Sequence, residues 1–275
     1  MIKNFLITGD THGRVMERLS HIENKYVPEE TALIILGDAG INFYLNKTDA
    51  KNKKNINATG YTIYCVRGNH EERPENIPTM EELYDENIDG TVYYEPQYPN
   101  IRYLMDGHVY LFNMHPTLVI GGAYSVDKWY RLSRFPQGSK WTGWFKDEQL
   151  TQEEMIDITE RFKGKHFDFI LTHTCPYSWQ PFDLFLQGLD QSTVDNTMER
   201  WLDDFRKQVT WNVWCWGHYH SDRIERPHCE MFYSDIEDLN SILDRWNNKT
   251  SIGREKSPNF YLNDNPWAEE VKNLT

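Results

Sequence analysis

Hydrophobic residues in this chain fall in short runs separated by polar or glycine-containing stretches. Phe5-Leu6-Ile7, Leu33-Ile34-Ile35-Leu36, Ile63-Tyr64-Cys65-Val66, Phe169-Ile170-Leu171 and Val213-Trp214-Cys215-Trp216 are the clearest. A continuous apolar run of this length reads as a strand covered on both faces. Segments between several of them, such as Arg14–Lys25 and Gln149–Phe162, have helix-compatible length and composition. Strands alternating with helices predict an α/β layered sheet. The middle of the chain differs. Val109–Asn113 and Leu118–Gly122 read as strands joined across Met-His-Pro, a hairpin that adds an antiparallel part. Two aromatic-rich stretches without periodicity, Tyr124–Phe145 and Tyr177–Leu189, read as ordered loops or cap elements. The expected organisation is one domain over residues 1–246, with insertions near 124–148 and 177–205, and a polar peripheral tail at 247–275.

Composition narrows the function classes. Of 275 residues, 39% are hydrophobic and 14% aromatic, too rich for a disordered chain. The formal net charge of −13 argues against a broad, non-specific nucleic-acid surface, because phosphate backbones are gripped by Lys and Arg. A nucleotide substrate is still compatible, since bound cations invert the potential of a cleft. The opening MIKNFLITGD lacks the length and cleavage pattern of a signal peptide, and no run reaches the roughly 18 apolar residues of a membrane span. Cys65, Cys175, Cys215 and Cys229 show no CxxC spacing and read as buried free thiols. A cytoplasmic protein that does not enter a membrane is the expectation; oligomeric state is left open.

The chemistry lies at the ends of the apolar runs. Ile7-Thr8 leads into Gly9-Asp10-Thr11-His12-Gly13, Leu36 into Gly37-Asp38, and Val66 into Arg67-Gly68-Asn69-His70-Glu71. Leu171-Thr172 leads into His173, and Trp216 into Gly217-His218-Tyr219-His220. The carboxyl ends of strands are where open α/β sheets bind ligands. One histidine after a strand is unremarkable as a surface or capping residue, but five such groups in succession are hard to attribute to packing. Mixed carboxylate and imidazole donors suit first-row divalent ions, whereas calcium takes oxygen alone and structural zinc favours thiolates. Asp38, with two carboxylate oxygens, could bridge a pair of ions.

The ordered series GDTHG, GD, GNHE, a lone His and GHYH resembles the calcineurin-like metallophosphoesterase superfamily, over Asp10 to His220. The resemblance implies a four-layer α/β/β/α sandwich of two mixed sheets flanked by helices. It also implies two divalent cations, manganese foremost with iron or zinc as alternatives. By position, Asp10, His12 and His220 would hold one ion, Asn69, His173 and His218 the second, and Asp38 both. His70 would contact the phosphate or protonate the leaving group, and a phosphomonoester or phosphodiester would be hydrolysed by a metal-bound hydroxide. The motifs GDTHG and RGNHE are similar to those of serine/threonine protein phosphatases and dinucleoside polyphosphate hydrolases, which stand as alternative activities. Those enzymes continue the second motif as GDxxDRG, however. Gly37-Asp38-Ala39-Gly40-Ile41-Asn42 lacks the Asp and Arg of that pattern. The segments Gly121–Lys128 and Trp144–Gln149 resemble bacterial and phage members of the superfamily.

Around this set, Arg14, Arg67, Lys128 and Arg131 are candidates to bind a phosphate oxygen by charge and position. Trp129, Tyr130, Trp141, Trp144 and Trp179 could stack on a nucleobase, favouring a nucleotide or nucleic-acid end as substrate. His21, His108, His115, His166 and His228 lack motif context. A catalytically silent binding module on the same fold is the non-enzyme alternative, and the filled ligand positions weigh against it.

Overall fold

The computed structural model describes residues 1–185 and 192–247. The tail expected at 247–275 therefore falls outside the described residues except for Asn247, as do residues 186–191 of the second insertion. The first half contains β1 (Asn4–Thr8), α1 (Val15–Ser20), β2 (Thr31–Ile35), α2 (Lys47–Asn57), β3 (Thr62–Cys65), β4 (Glu81–Asp85), β5 (Gly90–Tyr94) and β6 (Ile101–Leu104). The second half contains β7 (His108–Phe112), β8 (His115–Ile120), α3 (Lys128–Ser133), α4 (Gln152–Phe162), β9 (His166–Thr172), α5 (Thr197–Phe205), β10 (Thr210–Trp216), β11 (Arg223–Arg226), β12 (Cys229–Met231), β13 (Glu237–Asp238) and α6 (Leu239–Asn247). The strands form two mixed sheets, ordered β13-β1-β2-β3-β6-β5-β4 and β11-β12-β10-β9-β8-β7.

Alternate residues of each strand face opposite layers. Phe5 and Ile7 of β1 and Ala32 and Ile34 of β2 pack with Phe169 and Leu171 of β9 and Val213 and Cys215 of β10 between the sheets. Their neighbours Leu6, Leu33 and Ile35 face outward, under Val15 and Leu19 of α1 and Ile56 of α2. Ile170, Trp214 and Trp216 do the same on the other sheet, under Met155 and Ile158 of α4 and Met198, Leu202 and Phe205 of α5. Burial on both faces explains why these strands read as unbroken apolar runs, and the layers are helix, sheet, sheet, helix. All four cysteines are buried and free, as the sequence led us to expect. No helix among the described residues is long and apolar enough to cross a membrane.

The hairpin of β7 and β8 is present but tighter than expected. Its turn is Asn113-Met114, both at positive φ, and His115 and Pro116 belong to β8, paired with Phe112 and Leu111. Pairing of β8 with β9 starts at Thr117, so Pro116 removes no donor from that ladder.

Candidate metal centre

Strands β1, β2 and β3 are parallel neighbours in one sheet, and β9 and β10 are parallel neighbours in the other. Their carboxyl ends converge, carrying the loops of all five motifs. The backbone binds these loops to one another: the N–H groups of Thr11 and His12 both donate to the Asp38 carbonyl, and Gly13 N–H donates to that of Ala39. Gly37 is required twice over. Its φ is +93°, and a Cβ there would drive into the imidazole of His173. His12, Asp38, His218 and His220 themselves sit at φ between +45° and +66°, a region non-glycine residues avoid.

The side chains meet in three overlapping groups: Asp10, His12 and His220; His12, Asp38 and His70; and Asp10, Asp38 and His173. The Nε2 atoms of His12 and His220 are 2.9 Å apart, and His220 Nε2 donates to Asp10 Oδ2 at 3.1 Å. Asn69 Oδ1 accepts from His173 Nε2 at 2.8 Å, while its Nδ2 donates to Ser125 Oγ at 2.9 Å. The His218 ring lies 5.0 Å from that of His173, and its backbone N–H donates to Asp10 Oδ1. His70 donates its backbone N–H to Asp38 Oδ1 at 2.8 Å.

Electrostatics make this a cation site. Burial and the adjacent Asp10 charge push Asp38 up to about 8, against the N–H of His70. Burial also pushes Asp10 upward, but the hydrogen bond from His220 and the imidazoles of His173, His220 and His12 more than reverse it, leaving that carboxyl well below the usual range. Burial lowers His12 to about 3, reinforced by His220, and His218 to about 3, reinforced by His173. His173 falls through burial, and His70 falls well below its ordinary value through burial and the Arg131 guanidinium. Two buried aspartate side chains ringed by imidazoles offer oxygen and nitrogen donors with no thiolate, a set that fits a divalent transition metal.

The sequence profile of the calcineurin-like phosphoesterases matches residues 3–222. The chain belongs to the calcineurin-like phosphoesterase family. No curated protein matches it. Membership makes this phosphoesterase a hydrolase acting on phosphate esters, and the clustered Asp and His side chains make it metal-dependent.

The cations named from sequence separate in this phosphoesterase. Arg131, only 4% exposed, reaches back to His70, its Nη2 2.8 Å from Nε2 and 3.0 Å from Nδ1. Asp127 accepts from its Nε at 2.6 Å and Gly143 O from its Nη1 at 2.5 Å. Arg14 is exposed, and its charge is felt at His12. Lys128 lies over the rings of Trp144, Trp129 and Tyr124, at 4.2, 5.2 and 5.9 Å from their centroids. Arg67 departs from expectation. It turns inward at 4% exposure and donates to Asp106 Oδ2, Glu148 O and Gly121 O, the geometry of a brace rather than a substrate contact.

Several residues that shape the centre carried no legible signal. Tyr233 stacks on His220 with centroids 4.8 Å apart, and Asp222 accepts the backbone N–H groups of Tyr233, Ser234 and Asp235. Behind the two late histidine loops, Thr174 Oγ1 donates to Glu199 Oε1 and shares a hydrogen bond with the Tyr219 hydroxyl, which also accepts from Gln180. Tyr233, Glu199 and Gln180 are marked only by their place in the fold; Thr174, Tyr219 and Asp222 lie within two residues of a motif histidine but have no pattern of their own.

Glu199 yields a stability prediction. Burial pushes its carboxyl from 4.5 up to about 7, and Oε2 has no hydrogen-bond partner. An acid with a raised folded pKa holds its proton more tightly when folded, so stability falls as pH rises from about 4.5 to about 7 and stays reduced above that. Glu199→Gln should match wild type in urea denaturation near pH 4.5 and exceed it by about 3 kcal/mol at pH 8. Equal midpoints at pH 8 would contradict the assignment.

Proposed function

We propose that this phosphoesterase hydrolyses a phosphomonoester or phosphodiester at a pair of divalent cations, manganese foremost. Asp10, His12 and His220 would hold one ion and Asn69, His173 and His218 the other, with Asp38 between them. The convergence of five strand-end loops into three overlapping donor groups that share Asp10, His12 and Asp38 carries this reading. When bound, the ions supply Lewis acidity and lower the pKa of water.

The protein's own side chains do the remaining work. His70, at the edge of the donor cluster, would contact the phosphate or, as the imidazolium, give its proton to the oxygen that leaves with the product alcohol. Arg131 stands against it and offers guanidinium hydrogens to a non-bridging phosphoryl oxygen, with Arg14 presenting a second positive charge beside His12. Arg131 comes from a segment 61 residues beyond His70 in the chain, so a cation can serve this histidine even though the GDxxDRG arginine is missing. The aromatic residues near the centre favour a nucleotide or a nucleic-acid end over a phosphoprotein.

The test is direct. Protein loaded with Mn²⁺ should cleave p-nitrophenyl phosphate or bis(p-nitrophenyl) phosphate, and His218→Ala should reduce kcat/KM by at least about 100-fold. Arg131→Ala should cost roughly 10- to 100-fold while metal content stays at two ions. Full activity in His218→Ala would refute the ligand set.

A further inference from the structure

We propose that Tyr44 and Trp141 form a stacking subsite for the base of a nucleoside phosphate whose phosphoryl group sits at His70 and Arg131. The proposal rests on the hydrolytic reading above and names its substrate class.

The subsite is built on the loop that follows Asp38. Asn42 anchors this loop: its backbone carbonyl accepts from Glu72 N–H at 3.0 Å, and its Oδ1 accepts from the buried Lys53 ammonium at 2.9 Å. Lys53 is in turn paired with the buried Glu95. Asp49 accepts the Leu45 N–H at 2.7 Å, and Leu45 is held at φ +52°. A loop tied down this firmly nevertheless turns Tyr44 and Leu45 outward, 46% and 48% exposed. Tyr44 packs edge-on to Phe43 at 4.8 Å yet keeps nearly half of its surface in solvent, apolar area open to a ligand.

The first insertion completes the surface. Trp141 Nε1–H donates to Phe43 O at 2.9 Å, its ring stands edge-on to Phe43 at 5.5 Å, and it lies within 29° of parallel to Tyr44 at 5.8 Å. On its other side Phe43 contacts Arg131, whose guanidinium carbon is 5.7 Å from the ring centre. The order outward is therefore His70, Arg131, Phe43, then Tyr44 with Trp141. A ligand that follows it has a phosphate at one end and a flat, uncharged ring at the other, separated by a spacer. Nucleoside phosphates have that shape, with ribose as the spacer. In phosphotyrosine the ring is bonded directly to the phosphate oxygen, which would bring it over Arg131 and Phe43, short of Tyr44 and Trp141.

Stacking on an aromatic side chain is sequence-tolerant and typically alters affinity between about 5- and 100-fold per base. The Mn²⁺-loaded protein should be assayed on adenosine 5′-monophosphate and 2′,3′-cyclic adenosine monophosphate, and on base-free ribose 5-phosphate and its methyl diester. Tyr44→Ala should lower the nucleotide-to-base-free ratio of kcat/KM by about 5- to 100-fold, through KM, and Tyr44→Phe should restore it. In metal-free protein, calorimetry should detect adenosine binding that Tyr44→Ala removes, a readout independent of turnover. Equal ratios in wild type and Tyr44→Ala, with active enzyme, would overturn the subsite and leave the hydrolytic reading standing. A Tyr44-dependent preference for a phosphotyrosine peptide would also overturn it. No turnover on any ester together with Tyr44-dependent adenosine binding would sink the hydrolytic reading instead.

Discussion

Asp38→Asn is expected to lower kcat/KM on any phosphate ester by at least about 1,000-fold, or ~4 kcal/mol of transition-state stabilisation. Asp38 shares with Asp10 and His12 the place of a residue common to two donor groups, and it alone is expected to serve both ions. Asp38 is 1% exposed and takes part in two of the three donor groups, one with His12 and His70 and the other with Asp10 and His173. Its Oδ1 accepts the His70 N–H and lies 3.6 Å from His173 Nε2, while its Oδ2 lies 3.6 Å from His70 Nδ1. Asparagine fits the same space, so circular dichroism should not change. One oxygen becomes an amide nitrogen, however, which cannot ligate a cation and carries no charge. Metal analysis should then find fewer than two ions per chain. A variant that keeps two ions and near-wild-type turnover would refute the bridging role proposed for Asp38.

Arg67→Met should produce the second large effect, on stability instead of rate: a loss of about 3–5 kcal/mol and a Tm lower by roughly 10 °C. Arg67 lies between the third motif, the end of β8 and the first insertion. Besides its three side-chain bonds, its carbonyl accepts the Gly122 N–H at 2.7 Å, and Asp106 turns its second oxygen to the Gly121 N–H at 2.6 Å. Methionine fills similar volume but strands Asp106 and two carbonyls in the interior. If Arg67 held substrate instead, the variant would melt near wild type and show a raised KM.

Arg67 also shows where reading the sequence runs out. The parallel strands and the ligand loops were legible because burial on both sides enforces unbroken apolar runs, and because glycines cluster where backbones must turn against a donor. A charge beside a motif has no such signature: whether Arg67 faces inward and Arg131 faces His70 depends on which loops are neighbours. The hairpin of β4 and β5 was missed because Glu81-Glu82-Leu83-Tyr84-Asp85 is mostly solvent-facing and reads as a polar loop. Helix α5 lies within the insertion expected near 177–205, where no helix was named, although Met198, Leu202 and Phe205 recur at helical spacing and are fully buried. Tyr233 reaches His220 only because Asp222 ties its loop in place, a contact between residues 13 positions apart that no local pattern announces.

Four of the centre's own residues, His12, Asp38, His218 and His220, hold backbone conformations that side chains ordinarily refuse. The loops that carry them are held by contacts that involve no ion: the N–H groups of Thr11, His12 and Gly13 bond to Asp38 and Ala39, and the apolar core lies between the sheets behind them. Chelation should therefore strip the metal and silence hydrolysis while the sandwich stays folded, and added cation should restore turnover at the speed of binding, with no refolding phase in between.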